Sequence, residues 1–114
     1  MCGVSNNRCQ KKLKDCQACD ICKLLDDSYT TPTFAVADLQ CAGKPSWGCS
    51  GVTTAGKGQL DFDRRFCDDP ALLDKFANTL IHESAHHCKA IGGGNITEGG
   101  GECSAKSIAD ECTK

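Results

Sequence analysis

The stretch of sequence that decides the fold is residues 69–94, which read DPALLDKFANTLIHESAHHCKAIGGG. Apolar side chains recur at helical spacing between polar ones, namely Leu72, Leu73, Phe76, Leu80, Ala85 and Ile91. Asp69 followed by Pro70 is typical of a helix start, and consecutive glycines are typical of a helix end. The pattern therefore predicts a helix of about 22 residues from Pro70 to Ile91, about 33 Å long.

Two histidines in this helix, His82 and His86, are spaced to bind one metal ion. Residues four apart lie about one turn apart on the same helix face. Zinc binds imidazole nitrogen readily, and a site of two histidines and one carboxylate keeps a fourth position for water, which is typical of catalytic sites. Glu83 would lie beside that water and take its proton during attack on a carbonyl. We therefore expect one catalytic Zn²⁺, with Glu83 as the catalytic residue.

The remaining histidine, His87, points about 100° away from His86 around the helix, so we expect it to support the site or lie on the surface. Attack of water on a carbonyl also needs a hydrogen-bond donor for the oxyanion of the tetrahedral intermediate. Tyr29 and His87 are candidates for this transition-state stabiliser, as are Arg64 and Arg65.

Residues 59–66 alternate between apolar and polar side chains, with Leu60, Phe62 and Phe66 on one face and Asp61, Asp63 and Arg65 on the other. This alternation predicts a half-buried strand that closes at Cys67. Arg64 does not fit, because it falls on the apolar side.

The flanking segments complete a predicted α+β fold. Residues 102–112 indicate a C-terminal helix, and the segment from Cys2 to about Asp27 indicates one or two short helices. Residues 28–58 are rich in Thr, Gly and Ser and predict loops around a short apolar piece at 34–37. We expect a single small disulfide-rich domain over 1–114, in which a long helix packs on a small sheet between N-terminal and C-terminal helices. Residues 1–58 form its Cys-rich N-terminal part.

The chain has 11 cysteines in 114 residues, a density typical of small oxidised scaffolds and of secreted or periplasmic proteins. Because the number is odd, at least one cysteine has no partner within the chain. Cys67, Cys88, Cys103 and Cys112 are candidate disulfide cysteines, and a bond from Cys88 to Cys103 or Cys112 would join the two C-terminal helices. Disulfides are favoured over a structural zinc for the Cys16-x-x-Cys19-x-x-Cys22 pattern.

Charge and hydropathy exclude several partners. A net charge of −2 provides no positive field for nucleic acid. No apolar run approaches the ~20 residues that cross a bilayer, so no membrane span is expected. Residues 1–20 lack the apolar centre of a secretory signal, so we expect an exported protein to be a mature form or a released domain.

The motif His82-Glu83-Ser84-Ala85-His86 resembles the active-site motif of the zincin metallopeptidases. The resemblance implies that the two histidines bind catalytic zinc and that Glu83 is the general base. The metzincin continuation with a third histidine is absent, because the chain continues HCKAIG after His86. The sequence is therefore more similar to the gluzincin branch, which implies that the third ligand is a glutamate from a later helix.

Four acids follow the motif helix as candidates for that third ligand. Glu102 is preferred because it opens the predicted C-terminal helix and is anchored by the neighbouring Cys103. Glu98 lies in a glycine-rich loop and is the second choice, before Asp110 and Glu111. Glu102 has an alternative role as a helix-start acid that interacts with the helix dipole.

The resemblance covers residues 59–112, the zincin-like catalytic core, and nothing in residues 1–58. It implies a peptide substrate paired along residues 59–65 if that strand is a sheet edge, and the alternative is a core strand. A weaker resemblance is to metallopeptidase domains of bacterial polymorphic toxins, so the expected partners are a protein or peptide substrate and an inhibitor or immunity protein.

The favoured function is a zinc endopeptidase. The main alternative is a non-enzymatic, disulfide-rich secreted binding module or toxin with an incidental His/Glu cluster. A thiol nucleophile at Cys67 or Cys88, with His86 as its base, is a third and weaker interpretation.

Overall fold

The computed structural model describes residues 7–26, 30–52 and 57–114. Its α-helices are α1 (Asn7–Asp15), α2 (Ile21–Asp26), α3 (Arg65–Asp68), α4 (Leu73–Ala85) and α5 (Ala105–Cys112). Its strands are β1 (Thr30–Phe34), β2 (Gln40–Cys41), β3 (Lys44–Pro45), β4 (Gly48–Val52) and β5 (Gly58–Phe62). Short 3-10 helices at Pro70–Leu72 and Cys88–Ile91 flank α4. The predicted α+β, disulfide-rich class is therefore confirmed.

The predicted helix from Pro70 to Ile91 is present in three segments rather than one. Its start is as expected, since the Asp69 side chain accepts a hydrogen bond from Ala71 N at 3.0 Å. Its end is also as expected, since Gly92 adopts the left-handed conformation with φ +94°. The prediction of one continuous α-helix is wrong, because the backbone tightens after Ala85 into 3-10 geometry, in which Cys88 is buried.

The main sheet has the order β1-β5-β4. β5 pairs with β1 in parallel and with β4 antiparallel, so it is the central strand. Gly58, Leu60 and Phe62 are buried and the residues between them are half-buried, which confirms the predicted alternation for these positions. The alternative of a core strand is therefore correct, and pairing of a substrate along residues 59–65 is not available.

The predicted strand ends at Phe62 rather than at Phe66. The buried Asp63 carboxylate accepts hydrogen bonds from the Arg65 backbone N and Nε at 2.9 and 2.8 Å, which turns the chain into α3. Arg64, which did not fit the strand, is in this turn and forms ion pairs with Asp38 and Asp68.

The prediction of loops over residues 28–58 is wrong for most of the segment that is described. Strands β1 and β4 lie there on either side of β5, and β2 and β3 form a separate two-stranded sheet. β4 reads GCSGV, in which small residues replace the apolar alternation that identifies a strand.

Two clusters of apolar side chains pack on α4. The first lies among the helices and consists of Cys9, Leu13, Ile21, Leu24, Ile81, Ala85, Cys88, Ile96, Ala105, Ile108, Ala109 and Cys112. The second is aromatic and lies toward the sheet, with ring centroids 5.1–6.4 Å apart among Phe34, Trp47, Phe62, Phe66 and Phe76. α4 is thus held on two sides, which fixes the face that carries the histidines.

Four disulfides are described, and they join Cys9 to Cys112, Cys16 to Cys103, Cys19 to Cys88, and Cys41 to Cys49. Cys22 is also disulfide-bonded. Cys88 does not pair with Cys103 or Cys112, so that prediction is wrong. Each of these three cysteines instead bonds to the N-terminal part, because α2 packs near Cys88 and α1 packs on α5.

Cys67 is exposed and free, so its predicted disulfide is also wrong. The disulfides that do form are typical of an oxidising, non-cytosolic compartment. Within the described ranges, no helix has the length and apolar character needed to cross a membrane.

Candidate metal centre

His82 and His86 converge on one carboxylate. Their ring centroids are 5.4 Å apart on the same face of α4. His86 Nε2 lies 3.1 Å from Glu98 Oε1, and His82 Nε2 contacts the same oxygen. One turn of helix therefore directs two imidazole nitrogens at a single point.

A second contact fixes the orientation of His86. Its Nδ1 lies 3.1 Å from the Ile96 carbonyl oxygen, which can only accept, so Nδ1 carries the proton. In the neutral ring, Nε2 then presents a lone pair to the Glu98 carboxylate, and two such electron-rich atoms repel unless a proton or a cation lies between them. Two imidazole nitrogens and a carboxylate oxygen are a donor set that fits Zn²⁺, and a backbone carbonyl is a typical partner of the distal nitrogen.

Glu98 lies in the loop between the second 3-10 helix and α5. Ile96 is buried in the helical core, and the Thr97 and Glu98 carbonyls accept hydrogen bonds from Ala105 N and Lys106 N at 2.7 and 3.4 Å. The neighbouring imidazoles, His82 before His86, hold the pKa of the Glu98 carboxyl below its usual range, because any proton or positive charge they carry favours the carboxylate.

Glu102, the preferred third ligand, does not reach the histidines. α5 begins only at Ala105, with Ser104 as its N-cap, so Glu102 lies in the preceding turn and has no role at that helix start. It lines a surface cavity of about 550 Å³ together with Arg8 and Lys11 of α1. Glu98, the second choice, contacts both histidines instead, and it does so from a loop rather than from the later helix that the resemblance implies.

The other two acids are also engaged elsewhere. The Asp110 carboxylate accepts hydrogen bonds from Asn78 and Lys106, at 3.0 and 2.8 Å. Glu111 forms ion pairs with Arg8 and Lys114. Neither is a candidate ligand.

Glu83 is buried beside the histidines, and the candidate ligand atoms of His82, Glu83 and His86 all lie within 4.8 Å of one another. Burial raises the pKa of the Glu83 carboxyl, and the two histidines and a hydrogen bond with Ser50 oppose that rise. A carboxyl with this balance can both accept and release a proton beside the two histidines.

An open cleft of about 350 Å³ borders the cluster, lined by Pro45, Ser46, Trp47, Gly48, Asn78, Thr79, His82, Glu83 and Glu98. The start of β4 forms one wall and α4 the other. Gly48 allows them to approach closely, because a Cβ there would lie 2.7 Å from Thr79 Cγ2 and 3.3 Å from Glu83 Cγ. In the described part of the chain, β4 pairs on one side only, so it is a sheet edge.

The β4 wall of the cleft was not predicted from the sequence. The signal that could have found it is the pair of glycines in GCSGV, since glycine in a strand often marks close approach of another element.

Of the predicted oxyanion donors that the structure describes, none lines the cleft. The His87 ring packs under β5, where a Cβ on Gly58 would lie 3.0 Å from its Nδ1, and burial lowers the His87 pKa. Arg65 binds Asp63, and its guanidinium lies 3.8 Å over the Trp47 ring. Tyr29 lies outside the described residues.

The chain has no significant match among protein-family models, curated proteins or solved structures.

Proposed function

We propose that this protein is a zinc-dependent metallopeptidase that hydrolyses peptide bonds, with His82, His86 and Glu98 as the zinc ligands. The observation that carries the proposal is the convergence of both Nε2 atoms on one oxygen of Glu98, beside the buried carboxyl of Glu83. Three protein ligands leave a fourth position for water, as in catalytic zinc sites.

Glu83 is the general base and then the general acid. A zinc ion held by the three ligands would supply a Lewis acid and lower the pKa of a water bound to it. The ionised Glu83 carboxylate takes a proton from the attacking water and delivers it to the leaving amine. Its raised pKa favours the second transfer, and the hydrogen bond with Ser50 supports the ionised form needed for the first.

The substrate is a protein or peptide in extended form. Within the described structure β4 pairs with a strand on one side only and borders the cleft, so a peptide can add to its other side as a further antiparallel strand, beyond Gly48, whose N–H and carbonyl bond to Ser46 Oγ. Residues 48–52 thus take the role that the sequence assigned to residues 59–65. The disulfides fit a secreted or periplasmic enzyme.

The test compares wild type with Glu83→Gln. We expect the variant to retain one zinc by native mass spectrometry and to lose about 10²–10⁴-fold of kcat/KM on a fluorogenic peptide library. Glu111→Gln is the matched control, because it removes an acid from α5 that does not line the cleft. Full activity in Glu83→Gln would refute the mechanism, and an oxidised wild type without zinc would favour a binding module.

A further inference from the structure

The loop that carries Glu98 has an unusually flexible composition. Residues 92–104 include Gly92, Gly93, Gly94, Gly99, Gly100 and Gly101. Glycine loses more conformational freedom on ordering than any other residue. A ligand in such a loop is held firmly only if other contacts fix the backbone around it.

Residues 16–19 supply these contacts, and we call them the N-terminal brace. Cys19 bonds to Cys88 before the loop, and Cys16 bonds to Cys103 at its end, with Cα–Cα distances of 5.1 and 5.3 Å. Both ends of the glycine-rich segment are thus tied to one short piece of chain.

The backbone of the brace also contacts the loop directly. Gly94 N donates a hydrogen bond to the Gln17 carbonyl at 2.8 Å. Gly93 lies so close that a Cβ would be 2.6 Å from the Ala18 carbonyl oxygen, so only glycine fits. The loop and the brace are therefore shaped to each other.

We propose that Cys16 and Cys103 are positioning residues for Glu98, so that zinc affinity depends on the oxidation state of this one disulfide. The inference rests on the proposed function. Three consecutive glycines and Glu102 separate Glu98 from Cys103. Besides the hydrogen bonds from α5 to Thr97 and Glu98, this disulfide is what ties that side of the loop to the brace. Cys103 is exposed and Cys16 half-buried, so a thiol reagent can reach this bond, whereas Cys88 is buried.

The chemistry is a thiol–disulfide exchange. When the Cys16–Cys103 bond forms, the two thiols give up two electrons and two protons to the disulfide of a second molecule, which is reduced to a dithiol. A reduced dithiol reverses the step. The protein would therefore bind zinc weakly in a reducing compartment and tightly in an oxidising one.

The test compares two double variants, Cys16→Ala/Cys103→Ala and Cys9→Ala/Cys112→Ala. The bonds they remove have similar sequence separations of 87 and 103 residues, so chain entropy predicts similar losses of stability. We expect the first variant to bind zinc about 10–100-fold more weakly by competition with a chelator. The second should keep the wild-type affinity, although its melting temperature falls as well.

Equal zinc affinities in the two variants would overturn the proposal. If the first variant does not fold, wild type is alkylated at the free Cys67, reduced stepwise with dithiothreitol and alkylated again. Zinc is then titrated into the species newly blocked at Cys16 and Cys103, with the protein blocked at Cys67 alone as the reference. Wild-type affinity in that species would likewise overturn the proposal. His82→Ala tests the zinc site separately from the disulfide. Zinc binding that survives this change would refute the proposed function, whatever the effect of the disulfide.

Discussion

Burial sets the protonation behaviour of Glu83. Its pKa is raised in the folded protein, so ionised Glu83 is less favourable there than in the unfolded chain. By linkage, this group lowers stability as pH rises through the unfolded value of 4.5 toward the folded one. The buried Glu83 carboxylate therefore lowers the stability of the folded protein at neutral pH.

Glu83→Gln should therefore raise the melting temperature of the zinc-free protein at pH 7. The gain should disappear below about pH 4, where the unfolded chain also holds the proton. Differential scanning calorimetry across this range checks the prediction, and a variant less stable than wild type at pH 7 would contradict it.

Glu98 and Glu102 lie in the same stretch of chain but differ in their surroundings. Glu98→Ala removes a contact to both histidines and should weaken zinc binding by at least about 100-fold. Glu102→Ala removes the same side chain from a turn beside α1 and should leave the affinity unchanged. Zinc titration of both variants tests which glutamate is the ligand. Equal losses of affinity would show that the assignment of Glu98 is wrong.

These residues also show how far a sequence can define a site. His82, Glu83 and His86 follow from spacing alone, because a helix converts a separation of four residues into one face. A loop has no such period, so Glu98 could be weighed against Glu102 only by the stiffness expected of its neighbours. The preference for Glu102 was wrong, because the loop around Glu98 bonds to the start of α5 and has disulfide-bonded cysteines before and after it.

At the level of elements, the contact between β4 and α4 shapes the cleft. Gly48 lies against Thr79, whose hydroxyl donates a hydrogen bond to the Lys75 carbonyl at 2.8 Å and so fixes its rotamer. A methyl group at position 48 cannot be relieved by a simple rotation of that side chain. The strand would have to move away from the helix.

Gly48→Ala should cost about 1–3 kcal/mol of stability and lower kcat/KM while the zinc content is unchanged. Gly51→Ala is the matched control on the same strand, because its Cβ would meet nothing within 4 Å. Chemical denaturation and peptide assays check both variants. A Gly48→Ala protein that behaves like Gly51→Ala would show that the strand is not fixed against the helix.

Elements were predictable where local chemistry marks them. Asp69 with Pro70 and the glycine at 92 located the two ends of the helical region, and alternation located β5. β4 was not predicted, because its residues are small where they meet α4 and so lack the apolar alternation that identifies a strand. The break after Ala85 has no local signal, since it depends on where Cys88 is buried.

In the molecule as a whole, covalent bonds compensate for a modest apolar core. Of the four disulfides between described residues, three join the N-terminal helices to the C-terminal half, and one closes the region around β2 and β3. The cysteine count predicted such a scaffold, but connectivity depends on which helices pack together and cannot be obtained from spacing.

Cys67 provides a check on this pairing. Alkylation of the native protein without reductant, followed by peptide mapping, should label Cys67 and leave the eight cysteines of the four disulfides unlabelled. Cys67→Ser should change stability by less than about 0.5 kcal/mol, because the side chain is exposed. Labelling of Cys88 or Cys103 instead would contradict the connectivity.

The three long-range disulfides are concentric along the chain, since Cys19–Cys88 lies inside Cys16–Cys103, which lies inside Cys9–Cys112. Once the innermost bond exists, the next one closes a ring of only about 18 residues, and each later closure is entropically cheap. The disulfides can therefore form in order from the innermost to the outermost, without threading one segment of chain through another. The innermost pairing needs Cys88 to be available, so a chain emerging N-terminus first must wait for most of its length before this order of bonding can begin.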